Sequence, residues 1–151
     1  MSINKFYLEA DKNTPEIDFN PKDGLLYLHG KSIPENATRF YEPIVEWLKE
    51  YIQNPAQETN LHYDLMYFNT ASSIWMARII KLLSRIQDRE KLFILHLYFH
   101  IEEYDEMDSE DIQEAISPVT DVLNEASISI GVKIYGTDDY GSIQKEKLIL
   151  F

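Results

Sequence analysis

The sequence contains no cysteine, only five glycines and no long run of apolar residues. Without cysteine the chain forms no disulfide, thiolate metal site or iron–sulfur cluster, which fits a reducing compartment. It also has no glycine-rich phosphate-binding loop and no His-Glu-x-x-His or Gly-x-Ser-x-Gly motif. No segment approaches the roughly 20 apolar residues that cross a bilayer. These absences disfavour most common enzyme classes and membrane proteins.

Basic residues are few, because 14 Lys and Arg stand against 26 Asp and Glu for a formal net charge of −12. A nucleic-acid site needs a basic surface, and so does binding to an anionic membrane. We therefore expect neither nucleic acid nor a membrane surface as a partner. The stretch Met1–Tyr7 lacks the apolar core of a signal peptide, so we expect a cytoplasmic protein without membrane insertion.

Material for a hydrophobic core is plentiful. The chain is 44% hydrophobic and contains 10 Tyr, 7 Phe and 2 Trp. Its 151 residues fit one domain, which is large enough to bury most of its apolar surface. We expect a single domain spanning residues 1–151.

The spacing of apolar residues predicts strands that alternate with helices. Strands are expected at 16–20, 25–29, 61–68, 92–101 and 128–135. Helices are expected at 43–53, at 73–89 and from 108 onward. The first two strands form a hairpin around an Asp-Gly turn, whereas the later strands are joined through helices, as parallel strands are. The fold class is therefore α/β, with a mixed β-sheet covered by helices.

Three details of this pattern carry further expectations. Proline disrupts a helix interior, so Pro43 should interrupt the first helix. Residues 37–41 are then expected to form a separate turn or to lie beyond a kink in the helix. The strand 61–68 becomes apolar on both faces toward its end, which is typical of a buried central strand. Residues 136–151 are expected to be a loop or tail.

The four histidines and the acidic residues form no recognisable catalytic or metal motif. His96 and His100 are four residues apart in a predicted strand, hence about 13 Å apart, too far to share a metal. We interpret the histidines, including His29 and His62, as surface or partner-contact residues. Residues 102–125 contain ten acidic residues and no Lys or Arg, which is typical of a solvated face. No cofactor, metal or catalytic residue is predicted, although a small hydrolase using histidine and carboxylates stays open.

Polar side chains cluster where the strand 61–68 meets the next helix. Asn69, Thr70, Ser72 and Ser73 lie within five positions, and such residues are good helix N-caps. The same position also suits a phosphorylated hydroxyl, since a helix N-terminus offers free N–H groups and partial positive charge. The local sequence therefore leaves open both a capping role and a phosphorylation site.

Two further segments have a structural and a functional interpretation. In 32–37, Ser32 and Glu35 have capping-box spacing and Asn36 is an alternative cap, while the segment could also lie beside Thr70 at the same sheet edge. Four cations spaced along the helix 73–89 are expected to share one face, which either guides an acidic partner or is a solvated face paired with acids. These cations are Arg78, Lys81, Arg85 and Arg89.

The order and spacing of several segments resemble the SiaC family of regulatory phosphoproteins, whose fold is STAS-like, the type of the anti-sigma-factor antagonists. The resemblance covers about residues 5–100. It is carried by Thr14-Pro15-Glu16-Ile17, Pro34-Glu35-Asn36, Phe40-Tyr41-Glu42-Pro43 with Trp47-Leu48, and Tyr67-Phe68-Asn69-Thr70 with Ser72. Ile33 stands where the family often has Tyr, Ala71 replaces a frequent Ser, and the 136–151 tail looks divergent.

This resemblance implies a non-enzymatic partner-switching protein. Thr70 would be phosphorylated by a cognate Ser/Thr kinase and dephosphorylated by a metal-dependent Ser/Thr phosphatase. The unphosphorylated form would bind and regulate an effector such as a diguanylate cyclase, in cyclic-di-GMP signalling and biofilm regulation. An interaction module without a phospho-switch is the alternative. The candidates for switch-loop and partner contacts are Asn69, Ser72, Ser73, Pro34, Glu35, Asn36, Arg78 and Lys81.

Overall fold

A computed structural model describes residues 3–151. Met1 and Ser2, the first residues of the stretch inspected for a signal peptide, lie outside this range. The strands are β1 (Phe6–Leu8), β2 (Glu16–Asn20), β3 (Leu25–Ser32), β4 (Glu58–Phe68), β5 (Leu92–His100), β6 (Ser129–Thr137) and β7 (Ile143–Leu150). The helices are α1 (Ala37–Tyr51), α2 (Thr70–Leu83), α3 (Ile101–Glu106) and α4 (Ser109–Thr120). None of the helices within this range is both long enough and apolar enough to span a membrane.

The seven strands form one mixed sheet in sequential order. β1, β2 and β3 pair antiparallel, β3 to β6 pair parallel through helical connections, and β7 returns antiparallel to β6. The predicted α/β fold with a mixed sheet is confirmed, as is the hairpin of β2 and β3. Gly24 makes its turn with φ of 68°, and a Cβ there would lie 2.1 Å from the Glu58 carbonyl oxygen. The sequence analysis missed β1.

One face of the sheet is covered and the other is open. α1 contacts α2 and α2 contacts α4, so these helices form a single layer. Alternate strand residues such as Leu26, Leu61 and Leu95 are fully buried beneath this layer. Each such side chain contributes about 1.5–3 kcal/mol through its removal from water. Their neighbours in sequence, including His62 and His96, lie on the open face.

The first helix extends further than predicted. α1 begins at Ala37 and runs through Pro43, so 37–41 belong to the helix and the expected separate turn is wrong. Asn36 caps the helix by accepting a hydrogen bond from the Arg39 N–H, at 3.1 Å. Tyr41 and Ile44, on either side of the proline, are fully buried. Packing on both sides of Pro43 therefore holds a helix that local propensity would interrupt.

The second helix and the strand before it also differ from prediction. α2 begins at Thr70 and ends at Leu83, earlier at both ends than the predicted 73–89. Met66, Tyr67 and Phe68 at the end of β4 are exposed rather than buried. The reason is that the β4–β5 ladder ends at Tyr63 and Leu97, so β5 does not cover the last residues of β4.

The carboxyl-terminal third contains more regular structure than predicted. The acidic segment forms α3 and α4, and Asp108 caps α4 in a capping box with Asp111, which confirms the predicted helix start. The predicted loop or tail at 136–151 is confirmed only for 138–142, because β6 runs to Thr137 and 143–150 form the edge strand β7. Its turn is closed by a hydrogen bond from the Gly141 N–H to the Asp138 carbonyl, at 3.0 Å.

Candidate functional site

The two loops singled out in the sequence meet at the carboxyl ends of β3 and β4. Ser32 pairs with Phe68 in the last position of the β3–β4 ladder. The next residue, Asn69, donates its backbone N–H to the Ser32 carbonyl at 3.1 Å. The segment 32–37 therefore lies beside the Thr70 loop.

Thr70 is the first residue of α2 and its side chain is exposed. Asn69 is the N-cap, with its side-chain oxygen accepting from the Ser72 N–H at 2.9 Å. The hydroxyl of Thr70 and the backbone N–H groups of Thr70 and Ala71 make no hydrogen bond within residues 3–151. The capping role thus falls to Asn69, which leaves the Thr70 hydroxyl free in the positive field of the helix N-terminus.

A buried chain of hydroxyls lies beneath Thr70. Ser72 donates its hydroxyl proton to the Ser32 carbonyl at 2.7 Å, and the two serine hydroxyls are 2.8 Å apart. Since each hydroxyl has one proton, the Ser32 hydroxyl must donate to Ser72, and the Tyr41 hydroxyl must donate to Ser32. Burial raises the pKa of Tyr41 above its ordinary value, which keeps this donor protonated. The chain ties α1, β3 and α2 together at the site.

Exposed apolar side chains surround this loop, and together they are called the apolar surface here. They come from the segment after β3, the end of β4 and the first turns of α2. They are Ile33, Met66, Tyr67, Phe68 and Ile74, and Met66 is the most exposed at 72%. Successive residues of β4 point to opposite faces of the sheet, so these side chains border the loop on both faces.

The remaining candidates divide by exposure. Glu35 and Asn36 are exposed, whereas Pro34 is buried. Ser72 is fully buried, so it acts on the site by holding the loop rather than by touching a partner. Ser73 is half-buried, and its hydroxyl donates over 3.4 Å to the Asn69 carbonyl.

The predicted stripe of four cations on one helix face is wrong. α2 ends at Leu83, so Arg85 and Arg89 lie beyond the helix. Arg78 and Lys81 are exposed on its second half, and the Arg78 guanidinium lies 4.6 Å from the centre of the Trp75 ring. Eight residues of helix separate Thr70 from Arg78, about 12 Å along the axis. Within residues 3–151 none of the four cations makes an ion pair, so the alternative of a face paired with acids also fails.

The prediction of surface histidines is confirmed for His29 and His100, which are exposed, but is wrong for His96, which is buried. His62 and His96 are paired in the β4–β5 register and their rings stack with centroids 4.0 Å apart. His96 is only 5% exposed and has both ring nitrogens at 2.7 Å from partners, the Tyr135 hydroxyl and the Asn60 side-chain oxygen. Burial, with smaller contributions from His62 and Lys133, lowers the pKa of His96 to about 3. The sequence analysis missed this pair, because strand register is not visible in local sequence.

The geometry does not support a histidine-based hydrolase. His29 is 3.9 Å from Asp64, and His100 is 2.7 Å from Asp139, at separate places in the sheet. Burial also lowers the pKa of His62, so the stacked pair is neutral at physiological pH. Residues 3–151 contain no group of three or more His, Cys, Asp and Glu that could hold a metal ion.

The fold of the chain is found in solved structures of other proteins. The crystal structure of apo-SiaC from Pseudomonas aeruginosa matches with a TM-score of 0.62 and 20% identity, over 86% of this chain and 98% of that one. A chain in the crystal structure of the diguanylate cyclase SiaD in complex with its activator SiaC, from the same organism, matches with a TM-score of 0.64 and 20% identity, over 86% and 99%. These matches establish the fold.

Sequence comparison gives the family. Residues 8–125 match the family described as SiaC family regulatory phosphoprotein. An uncharacterized protein of Pseudomonas aeruginosa strain UCBPP-PA14 is 26% identical over 81 residues, which cover 54% of this chain and 64% of that relative, less than two thirds of its length. The chain belongs to the SiaC family of regulatory phosphoproteins.

Proposed function

We propose that the protein is a cytoplasmic, non-enzymatic partner switch controlled by phosphorylation of Thr70. A cognate Ser/Thr kinase transfers the γ-phosphoryl group of ATP to the Thr70 oxygen, releasing ADP and the hydroxyl proton. A metal-dependent Ser/Thr phosphatase returns the free hydroxyl by hydrolysis, with inorganic phosphate as the product. The unphosphorylated form binds and regulates an effector.

The observation that carries the proposal is a free, exposed hydroxyl at a helix N-terminus within an apolar surface. Among the three hydroxyl residues of the loop, Thr70 alone combines exposure with the absence of a hydrogen bond to residues 3–151. Ser72 is fully buried and Ser73 is half-buried. A kinase could reach Thr70 without unfolding α2, because Asn69 holds the cap.

The environment of Thr70 also supports the direction of the switch. An effector that covers Phe68 and Ile74 would bury the first turn of α2 between them. A phosphoryl group there carries a charge of about −1.5 to −2 and would have to lose its water. Phosphorylation therefore releases the effector, whereas the unmodified threonine permits contact.

A diguanylate cyclase is the proposed effector, which would place the protein in cyclic-di-GMP signalling and biofilm regulation. The support is family membership and the fold shared with SiaC, the activator in the complex with the cyclase SiaD. That complex belongs to a relative of 20% identity, so the effector of this chain is part of the proposal.

Phosphorylation with the cognate kinase and ATP, followed by intact-mass measurement, tests the acceptor. One phosphoryl group should be added to the wild type and none to Thr70→Ala. Thr38→Ala is the matched control, because Thr38 is also exposed in the first turn of a helix, and it should accept one group. Phosphorylation that persists in Thr70→Ala would refute the assignment. An interaction module without a switch would show no phosphorylated fraction in protein from its native cell.

Binding of the diguanylate cyclase tests the switch itself. Thr70→Asp should weaken binding only in part, since a carboxylate carries less charge and fewer oxygens than a phosphate. Thr70→Val, which is isosteric but uncharged, should bind like the wild type. Equal affinity of the Asp and Val variants would exclude charge at this position as the switch.

A further inference from the structure

A groove opens where β4 and β5 separate. The ladder between them ends at Tyr63 and Leu97, after which β4 continues beside β3 and β5 continues beside β6. The space between the diverging strands is a cleft of about 980 Å³. This volume lies at the upper end of ligand sites and admits several side chains of a partner.

The floor of the groove is apolar and comes from all layers of the fold. β4 and β5 supply strand residues, and α2 and α4 supply helix residues. Those that line it include Leu65, Met76, Ile80, Leu97, Phe99 and Ala115. Tyr63 also lines it, and its hydroxyl is the one buried side-chain polar atom without a hydrogen-bond partner within residues 3–151.

The rim of the groove has charge of one sign. Five carboxylates line it, and no Lys or Arg does. They are Asp64, Glu103, Glu114, Asp138 and Asp139. The rim continues into the segment 102–125, which has ten acidic residues and no basic ones. A segment that entered the apolar floor would therefore gain from positive charge on its flanks.

We propose that this groove binds an apolar segment of the effector that is flanked by Lys or Arg residues. The proposal rests on the proposed function and adds the chemistry of the partner. Phe68 and Ser73, on either side of Thr70 in the chain, both line the groove, so Thr70 lies next to the groove without lining it. Phosphate would attract the basic flanks, so release must come from the cost of burying the phosphate beside the groove and from its bulk.

Selection from a library of random peptides against the unphosphorylated protein tests the groove. The selected peptides should combine apolar residues with Lys or Arg. Their affinity should fall at least about tenfold for Glu103→Lys with Glu114→Lys, since close charge pairs are worth 1.4 kcal/mol or more. Ala115→Trp, which fills the groove, should also abolish binding. Thermal unfolding of each variant confirms that it is folded.

The matched control is Asp121→Lys with Glu125→Lys. These acids are exposed in the same segment, do not line the groove, and change the net charge equally. They should leave peptide affinity within about twofold of the wild type. Peptides without basic residues, or equal affinity for the two double variants, would overturn the proposal. Self-association that is lost in Glu103→Lys with Glu114→Lys would identify a second copy of the chain as the occupant and would also overturn it.

The same variants separate this proposal from the switch. If Glu103→Lys with Glu114→Lys binds the diguanylate cyclase normally and phosphorylation of Thr70 still releases it, the groove is refuted and the switch stands. If the unphosphorylated wild type does not bind the cyclase while the basic peptides bind as expected, the groove's chemistry stands and the effector assignment fails.

Discussion

The protein has two networks of hydrogen-bonded polar side chains, one on each face of the sheet. They differ in the polar groups that lie next to them. Beneath the helices, Tyr41, Ser32 and Ser72 form a one-way chain of hydroxyl donors. On the open face, the Tyr135 hydroxyl donates to His96, which donates to the Asn60 side-chain oxygen. The first network joins α1, β3 and α2, the second joins the neighbouring strands β4, β5 and β6, and both are buried at their centres.

Next to the hydroxyl network, the exposed Thr70 hydroxyl and the backbone N–H groups of Thr70 and Ala71 make no hydrogen bond within residues 3–151. The neighbour of the histidine network is His62, whose ring stacks on His96 and is half-buried. His96 uses both ring nitrogens within the protein, and its lowered pKa keeps it neutral. A modification site requires an exposed reactive group held by a rigid support whose own hydrogen bonds are all made. The hydroxyl network gives Thr70 such a support. We therefore expect the first network to support the proposed acceptor and the second to contribute mainly to stability.

The largest expected effect is on the histidine network. His96→Ala removes two hydrogen bonds, leaves Tyr135 and Asn60 without a partner and opens a cavity, so the free energy of unfolding should fall by about 3 kcal/mol. His62→Ala is the matched control, because His62 is half-buried with one such bond, and about 1 kcal/mol should be lost. Urea denaturation measures both. Phosphorylation of Thr70 should proceed at the wild-type rate in each folded variant. A loss of phosphorylation would show that the histidine network also supports the Thr70 site.

The histidine network should also make stability depend on pH. The pKa of His96 is about 3 in the folded protein and about 6.5 in the unfolded chain. Between these values the unfolded chain binds a proton that the folded protein does not. The free energy of unfolding should therefore fall as the pH falls from about 6.5, by up to about 1.4 kcal/mol per pH unit. His96→Gln removes this contribution, so its difference in stability from the wild type should shrink between pH 7 and pH 5. A constant difference would show that His96 titrates with the same pKa in the folded protein as in the unfolded chain.

The hydroxyl network should combine a smaller stability effect with a functional one. Ser72→Ala removes the donor to the Ser32 carbonyl, at a cost of about 1–2 kcal/mol. Hydrogen exchange at 69–73 should become faster, and the rate of Thr70 phosphorylation should change with it. Ser73→Ala is the control, since its 3.4 Å contact is long, and its stability should stay within about 0.5 kcal/mol of the wild type. Equal behaviour of the two variants would show that the buried chain does not support the acceptor loop.

Particular residues show what local sequence could predict. The polar cluster from Asn69 to Ser73 predicted capping residues at the start of a helix, because capping chemistry is local, whereas the choice of Thr70 as acceptor rested on the family resemblance. Met66 to Phe68 were interpreted as buried because an apolar strand end is usually covered, and the early end of the β4–β5 ladder is a tertiary feature. The same holds for the His62–His96 stack, which depends on strand register, and for Pro43, where burial of Tyr41 and Ile44 overrides helix propensity. The end of β4 is thus where the prediction failed and where the apolar surface and groove lie.

The smallest expected effects on partner binding and stability come from substitutions of Arg78 and Lys81 in α2. Neither residue belongs to the hydroxyl network or to the histidine network. Arg78 lies about 12 Å from Thr70 along the helix, beyond the screening length of about 8 Å at physiological salt. Arg78→Glu with Lys81→Glu should therefore leave the association rates of kinase and effector within about twofold at that salt. Stability should fall by about 0.5–1 kcal/mol through loss of the contact between Arg78 and Trp75, whereas Lys81→Glu alone should lose less. Stopped-flow association and urea denaturation measure the two quantities. Slower association at physiological salt would mean that a partner contacts this half of α2 directly, and the site would then extend along the whole helix.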